Sequence, residues 1–146
     1  MVLPAQKGEG RRVNVLVVDD SLVMRRMLTR VLRATDLPIR EMYEACDGLE
    51  ALALLNEHPV DFVLTDINMP NMGGLEFLGV VRRNPDWKNV QVVIVTTDGG
   101  ERRVLEALRL GAADYLRKPF TPDQIRDKLS ALVEAGASEP GLTSAA

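Results

Sequence analysis

Three aspartates, a threonine and a lysine of this chain stand at the ends of apolar segments. Asp19 and Asp20 follow the first segment, Asp66 follows another, and Thr96 and Lys118 follow two more. Carboxylates are hard oxygen ligands, which suit Mg²⁺ or Mn²⁺ and not zinc. Because Mg²⁺ seldom uses more than two carboxylates directly, a further carboxylate could attack phosphorus and form an aspartyl phosphate. The lysine and the threonine could then stabilise the phosphoryl oxygens.

Each of these residues alone has an ordinary structural explanation. An aspartate after a strand commonly caps a helix or forms a turn, and a lysine there is usually solvated. The chemical interpretation therefore depends on all five residues reaching one place. Two unit charges about 4 Å apart repel by about 4 kcal/mol at an effective dielectric constant of about 20, so a group of carboxylates favours the binding of a cation.

The elements that must position these residues alternate between strands and helices. Short β-branched runs are typical of strands that are buried on both faces, and apolar residues at helical spacing separate them. Five strands are predicted, at 13–18, 40–45, 62–65, 92–95 and 113–117. Helices are predicted from residue 21, over 49–55, over 75–82, over 104–110 with a glycine stop at Gly111, and from residue 121. The last has a capping box, Thr121-Pro122-Asp123-Gln124.

This alternation predicts an α/β protein with a single doubly wound parallel sheet of five strands and five helices. In such sheets the functional site lies beyond the carboxyl ends of the strands, where the winding reverses. All five candidate residues are predicted to lie at that edge of the sheet.

Composition bounds the class of protein. The 146 residues carry 18 basic and 21 acidic side chains, a net charge of −3, which argues against a nucleic-acid surface. One cysteine excludes an internal disulfide, and no apolar stretch approaches the about 20 residues of a membrane span. The N-terminus lacks the apolar core of a secretory signal, so we expect a cytoplasmic protein. We expect tails at residues 1–12 and 135–146 and one domain at 13–134.

Four motifs carry a family resemblance. Asp19-Asp20-Ser, Thr-Asp66-Ile-Asn68-Met-Pro, Val-Thr96-Thr and Lys118-Pro-Phe occur in this order. The chain thereby resembles the receiver domain of bacterial two-component response regulators over residues 13–134. The resemblance implies a flavodoxin-like strand order of 2-1-3-4-5.

The resemblance also implies a role for each site residue. It assigns Asp66 as the phosphoryl acceptor, with Lys118 and Thr96 acting on the phosphoryl group, and a cis peptide bond before Pro119. Metal binding falls to Asp19, Asp20, Asp66 and the backbone carbonyl of Asn68. A switch is assigned to Thr96 and to Tyr115, whose rotamer follows the threonine.

The same resemblance implies partners. The sequence is similar to the stand-alone chemotaxis regulators of the family, which have no output domain. We therefore expect a histidine kinase as phosphodonor, Mg²⁺ (or Mn²⁺) as cofactor, and an output protein, such as a flagellar motor switch, on the face of the fourth helix, fifth strand and fifth helix. A phosphatase is a further expected partner, whereas nucleic acid and membrane are not. Enzymatic activity should be limited to Mg²⁺-dependent self-phosphorylation and autodephosphorylation.

Other functions fit parts of the same pattern. A phosphorelay intermediate, or a stand-alone receiver outside chemotaxis, would share the site and differ only in its partner. A phosphatase of the haloacid dehalogenase type also forms an aspartyl phosphate, but its acidic motif should follow the first strand. A flavodoxin-like carrier needs a phosphate-binding loop after the first strand, where Asp19 and Asp20 would repel the FMN phosphate.

Overall fold

A computed structural model describes the backbone of residues 12–97 and 101–145 and the side chains of residues 12–97 and 101–134. Strands and helices alternate along it, as the sequence predicts. The strands are β1 (Val13–Val18), β2 (Ile39–Ala45), β3 (Phe62–Thr65), β4 (Gln91–Thr96) and β5 (Asp114–Arg117). The helices are α1 (Leu22–Ala34), α2 (Gly48–Glu57), α3 (Gly74–Arg83), α4 (Glu101–Leu110) and α5 (Pro122–Ala145), with a short 3-10 helix at Pro85–Trp87.

The five strands form one parallel sheet in the order β2-β1-β3-β4-β5. This order confirms the predicted doubly wound α/β fold. The winding reverses at β1, whose neighbours β2 and β3 lie on opposite sides of it. The carboxyl ends of β1 and β3 therefore border the point at which such folds place their ligands.

Successive residues of each central strand enter two different cores, because side chains alternate across a sheet. One core packs Leu16, Val63 and Ile94 against α2, α3 and Ala107 of α4. The other packs Val15 and Val93 against α1 and α5. The central strands have continuous apolar sequences because helices cover both faces of the sheet.

Helix α4 contributes less to the core than its leucines suggest. Ala107 is its buried residue, whereas Leu105 and Leu108 are exposed by 51% and 38%. The helix ends as predicted at Gly111, which has a φ of +110°. The Gly111 and Ala112 N–H groups donate to the carbonyls of Leu108 and Ala107, which is the pattern of a Schellman motif.

Helix α5 begins with the predicted capping box. The Gln124 N–H donates to the Thr121 hydroxyl at 3.1 Å, and the Thr121 N–H donates to Gln124 Oε1 at 2.9 Å. The backbone of residues 135–145 continues this helix, although composition predicts a tail there. The predicted N-terminal tail lies outside the described residues, apart from Arg12.

We predict that Thr121→Ala lowers the free energy of unfolding by about 1 kcal/mol, because an N-cap hydroxyl and its hydrogen bond are lost. Urea denaturation measures the change. Ser130→Ala, within the same helix, is the matched control and should not destabilise the protein, because alanine has the higher helix propensity. Equal urea midpoints for Thr121→Ala and the wild type would contradict this role.

Candidate functional site

Three of the predicted site residues are each held by an extension of the sheet. Asp19, Asp66 and Lys118 directly follow β1, β3 and β5. Each backbone N–H donates to the carbonyl of the last residue of the adjacent strand. The donor–acceptor pairs are Asp19 to Ala45 (3.1 Å), Asp66 to Val18 (3.2 Å) and Lys118 to Thr96 (2.9 Å). The parallel register therefore brings the three side chains to one edge of the sheet.

The side chains meet around the lysine ammonium. Lys118 Nζ lies 3.1 Å from Asp19 Oδ2 and 3.5 Å from Asp66 Oδ2. The side chains of Lys118, Asp19 and Asp66 are exposed by only 8%, 4% and 18%, so water screens these charges weakly. Two carboxylates and one ammonium leave a net charge of −1 in the cluster. This excess of negative charge makes the place suitable for a further cation.

The second oxygen of each carboxylate is also engaged. Asp19 Oδ1 accepts the Ser21 N–H at 2.9 Å, and Asp66 Oδ1 accepts the Ile67 N–H at 2.6 Å. Arg25 donates to the Asp19 carbonyl at 2.6 Å and also pairs with Glu44 at 3.2 Å. These bonds hold the Asp19 backbone and fix the orientation of both carboxylates.

A glycine lies directly behind the backbone of Asp66. A Cβ atom placed on Gly74 would lie 2.1 Å from the Asp66 carbonyl oxygen, a distance that no side chain can tolerate. The Gly74 N–H donates to the Ile67 carbonyl at 2.8 Å. The first turn of α3 therefore packs against the acidic loop, and only glycine permits this approach.

A second contact joins the same loop to helix α2. Asp47 caps α2 and accepts the side-chain N–H of Asn71 at 2.7 Å on its other oxygen. The hydrogen bond from Asn71, with that from the Glu50 N–H, holds the pKa of Asp47 below its usual range. Asn71 has a φ of +65°, a left-handed conformation that asparagine tolerates better than most residues.

The two predicted switch residues lie on the adjacent strands β4 and β5 and differ in burial. Thr96 is buried at the end of β4, and its carbonyl binds the Lys118 N–H. Tyr115 is 38% exposed, and Lys128 Nζ lies 5.3 Å from the centre of its ring. Lys128 also pairs with Asp114 at 3.1 Å. The ring therefore points to the surface next to α5 rather than toward Thr96.

The donor set matches Mg²⁺ only in part. Asp19 and Asp66 converge, but Asp20 is exposed and forms no hydrogen bond or ion pair within the described side chains. Across residues 12–97 and 101–134, no group of three acidic, histidine or cysteine side chains could hold a metal ion together. Mg²⁺ keeps several water ligands and needs only one or two carboxylates, so Asp19 and Asp66 suit it. They do not suit a cation that requires a complete set of protein ligands.

Sequence reasoning did not assign the supporting residues Arg25, Asp47, Asn71 and Gly74. The sequence does indicate Asp47 as a helix cap, since an aspartate three residues before a glutamate is typical of a helix N-terminus. No sequence pattern indicates the contacts of Arg25 and Asn71, because their partners are distant in sequence. The cis peptide bond between Lys118 and Pro119 is confirmed.

The fold and this charge cluster define a receiver domain. The chain matches the family model described as the response regulator receiver domain over residues 15–130, and it belongs to that family. It is 39% identical over 128 residues to the chemotaxis protein CheY homolog of Campylobacter jejuni, which covers 87% of this chain and 97% of that relative.

Solved structures agree with this assignment. The chemotaxis response regulator CheY4 of Vibrio cholerae superimposes with a TM-score of 0.74 at 33% identity, over 83% of this chain and 98% of its own. The CheX–CheY–BeF3–Mg²⁺ complex of Borrelia burgdorferi matches with a TM-score of 0.73 at 30% identity, over 82% and 88%. Among the helices of the described residues, none combines the length and hydropathy that a bilayer crossing requires.

We predict that Gly74→Ala lowers the free energy of unfolding by about 1–3 kcal/mol, because the new methyl group must displace the Asp66 backbone. Gly79→Ala on the same helix is the matched control. Its Cβ would meet only the flexible end of Arg83 at 3.3 Å, so it should stabilise the helix by up to about 1 kcal/mol. Thermal unfolding of both variants measures the contrast, and a Gly74→Ala protein as stable as Gly79→Ala would contradict it.

We predict that Mg²⁺ at about 100 times its Kd raises the free energy of unfolding of the wild type by about 2.7 kcal/mol. Asp66→Asn should raise the melting temperature without Mg²⁺, because the cluster loses its excess negative charge, and should lose most of the Mg²⁺ effect. Melting curves at matched ionic strength measure both. Asp86→Asn, on the 3-10 helix, is the control and should keep the wild-type response. A wild-type melting temperature insensitive to Mg²⁺ would rule out the cation site.

Proposed function

We propose that this protein is a stand-alone response regulator that a histidine kinase phosphorylates on Asp66. The main observation behind this proposal is that Asp19 and Asp66 share one lysine, Lys118. Lys118 holds two carboxylates that lie 99 and 52 residues away from it in sequence, inside a weakly solvated edge of the sheet. Such an arrangement costs desolvation energy, which an ordinary structural ion pair seldom recovers.

The reaction is a phosphoryl transfer from a phosphohistidine. One carboxylate oxygen of Asp66 forms the new P–O bond as the P–N bond to the imidazole breaks, and the released nitrogen takes up a proton. The Lys118 ammonium lies where it can neutralise charge on the phosphoryl oxygens, and the Thr96 hydroxyl is the proposed hydrogen-bond donor to them. Water later attacks the phosphorus of the acyl phosphate, inorganic phosphate leaves and the Asp66 carboxylate is restored, which is the proposed autodephosphorylation.

We assign Mg²⁺ to Asp19, Asp20, Asp66 and the backbone carbonyl of Asn68. When bound, the ion supplies positive charge to the oxygens of the transferring group. The Mg²⁺ in the Borrelia burgdorferi complex supports the choice of ion. Asp20 is exposed in this structure, so its contribution would pass through a metal-bound water or follow a side-chain rotation.

The signal leaves through the surface formed by α4, β5 and α5, which we call the output surface. Leu105, Leu108 and Tyr115 are exposed there, and Arg102 adds positive charge beside them. Phosphorylation would draw Thr96 toward the phosphoryl group, and Tyr115 would turn inward from its position beside Lys128. Such a switch shifts a population between two packings by no more than the difference in their contact energies.

We propose chemotaxis as the pathway and a flagellar motor switch as the output partner, in the cytoplasm. The names of the relatives support it, since both the Campylobacter and the Vibrio proteins are called chemotaxis proteins. A phosphatase is a further proposed partner. The alternative is a phosphorelay intermediate, which would pass its phosphoryl group to another histidine.

We predict that Asp66→Ala abolishes labelling by ³²P-acetyl phosphate, because the acceptor carboxylate is gone. Lys118→Met should slow labelling about 100-fold or more, by loss of an oxyanion-stabilising charge. Hydroxylamine-sensitive label on gels measures both, and Asp86→Ala should label like the wild type. Full labelling of Asp66→Ala would remove Asp66 as the acceptor.

The same assay separates the two pathways. The phosphorylated protein is mixed with purified flagellar motor-switch protein or with a histidine phosphotransfer domain. Chemotaxis predicts phosphorylation-dependent binding to the first and no transfer of label to the second. Rapid transfer of label to histidine would favour the phosphorelay.

A further inference from the structure

We propose that Asp47 and Asn71 are positioning residues for phosphoryl transfer at Asp66. They fix the loop between β3 and α3 to the N-terminus of α2 and so set the position of the Asn68 carbonyl. This inference rests on the proposed function, because it concerns the same metal and phosphoryl site.

The N-terminus of α2 is a rigid support for the contact between Asp47 and Asn71. Asp47 Oδ1 accepts the Glu50 N–H at 2.8 Å, and Glu50 Oε1 accepts the Cys46 N–H at 2.6 Å. The first bond caps α2 and fixes one oxygen of the Asp47 carboxylate, and the second holds the backbone of the residue before the cap. Asp47 is only 6% exposed, so its second oxygen must find its partner within the protein.

That partner is the loop beyond Asp66. Asn71 Nδ2 donates to Asp47 Oδ2 at 2.7 Å, and the Gly48 N–H donates to the Met72 carbonyl at 2.9 Å. The approach is tight, since a Cβ on Gly48 would lie 2.6 Å from Met72 Cγ. Two successive residues of the loop are thus bound to Asp47 and Gly48, the cap and the first residue of α2.

The loop is therefore anchored at both of its ends. At its start, the Asp66 N–H donates to the Val18 carbonyl. Toward its end, Asn71 and Met72 form the two contacts with Asp47 and Gly48. Asn68 lies between these anchors, is exposed, and forms no side-chain hydrogen bond within the described residues. The Gly74 N–H bond to the Ile67 carbonyl holds the residue before Asn68, and the contacts at Asn71 and Met72 hold the chain after it, so the position of the Asn68 carbonyl depends on both. Asn71 makes its contact in a left-handed backbone conformation.

Three variants test the inference. Asn71→Gly keeps the favoured backbone conformation but removes the amide donor. Asn71→Asp places a carboxylate against the Asp47 carboxylate, which repels it. The exchange Asp47→Asn with Asn71→Asp restores a hydrogen bond of opposite direction, and asparagine still caps α2. Asn84→Asp is the matched control, because it makes the same chemical change in a capping residue before the 3-10 helix.

The measurements are the initial rate of ³²P-acetyl phosphate labelling as a function of Mg²⁺ concentration and the melting temperature of each variant. Asn71→Gly and Asn71→Asp should raise the Mg²⁺ concentration for half-maximal rate by about 10- to 100-fold, as loss of supporting contacts around a metal site does. The exchange variant should return to within about threefold of the wild type, and Asn84→Asp should not differ from it. A loss of stability alone would lower the melting temperature without shifting the Mg²⁺ dependence.

The outcomes separate this inference from the proposed function. If the wild type takes no label, the proposed function fails and this inference fails with it. If the wild type is labelled with Mg²⁺ dependence and Asn71→Gly follows the same curve, only this inference is overturned. An exchange variant as impaired as Asn71→Asp would overturn it as well, since the restored contact should restore the rate.

Discussion

One shared ammonium organises the functional edge of this protein. Lys118 contacts the carboxylates of Asp19 and Asp66 where water screens charge weakly, and the three charges do not cancel. The residual negative charge suits the site to the proposed binding of a cation and, through it, of a phosphoryl group. Removing the lysine would leave two poorly solvated carboxylates without a counter-ion, a change that costs about 3–5 kcal/mol for buried pairs. Stability and chemistry therefore depend on the same contact.

The sheet brings these charges together by its register. Each of the three residues stands one position beyond a strand and donates its N–H to the last carbonyl of the neighbouring strand. A one-residue slip in the pairing would turn each side chain toward the opposite face. The strands are short but buried on both faces, so the core that holds the register lies directly beneath the site. Packing energy from the core thus maintains the geometry of the charges.

Support from the helices completes the site. Gly74 lets α3 approach the Asp66 backbone, Arg25 of α1 holds the Asp19 carbonyl, and Asp47 at the start of α2 holds Asn71. Three helices from both faces of the sheet therefore converge on one edge. The output surface lies on α4, β5 and α5, and it is joined to the site through the bond between Thr96 and Lys118. Under the proposed function, a change at the phosphoryl group would reach that surface by way of this pair of adjacent strands.

The sequence by itself determined the layered α/β fold and the edge of the sheet at which Asp19, Asp66 and Lys118 converge. It could do so because local sequence patterns encode these features, as apolar runs, capping residues and polar residues at strand ends. The family resemblance added metal-binding roles for Asp20 and for the backbone carbonyl of Asn68, and both residues are exposed in the structure. Only the tertiary structure decided which carboxylates share the lysine, that Tyr115 packs beside Lys128, and that Asp47 binds Asn71. These contacts join residues from different elements, and their partners follow from strand order and helix packing, which no local pattern encodes.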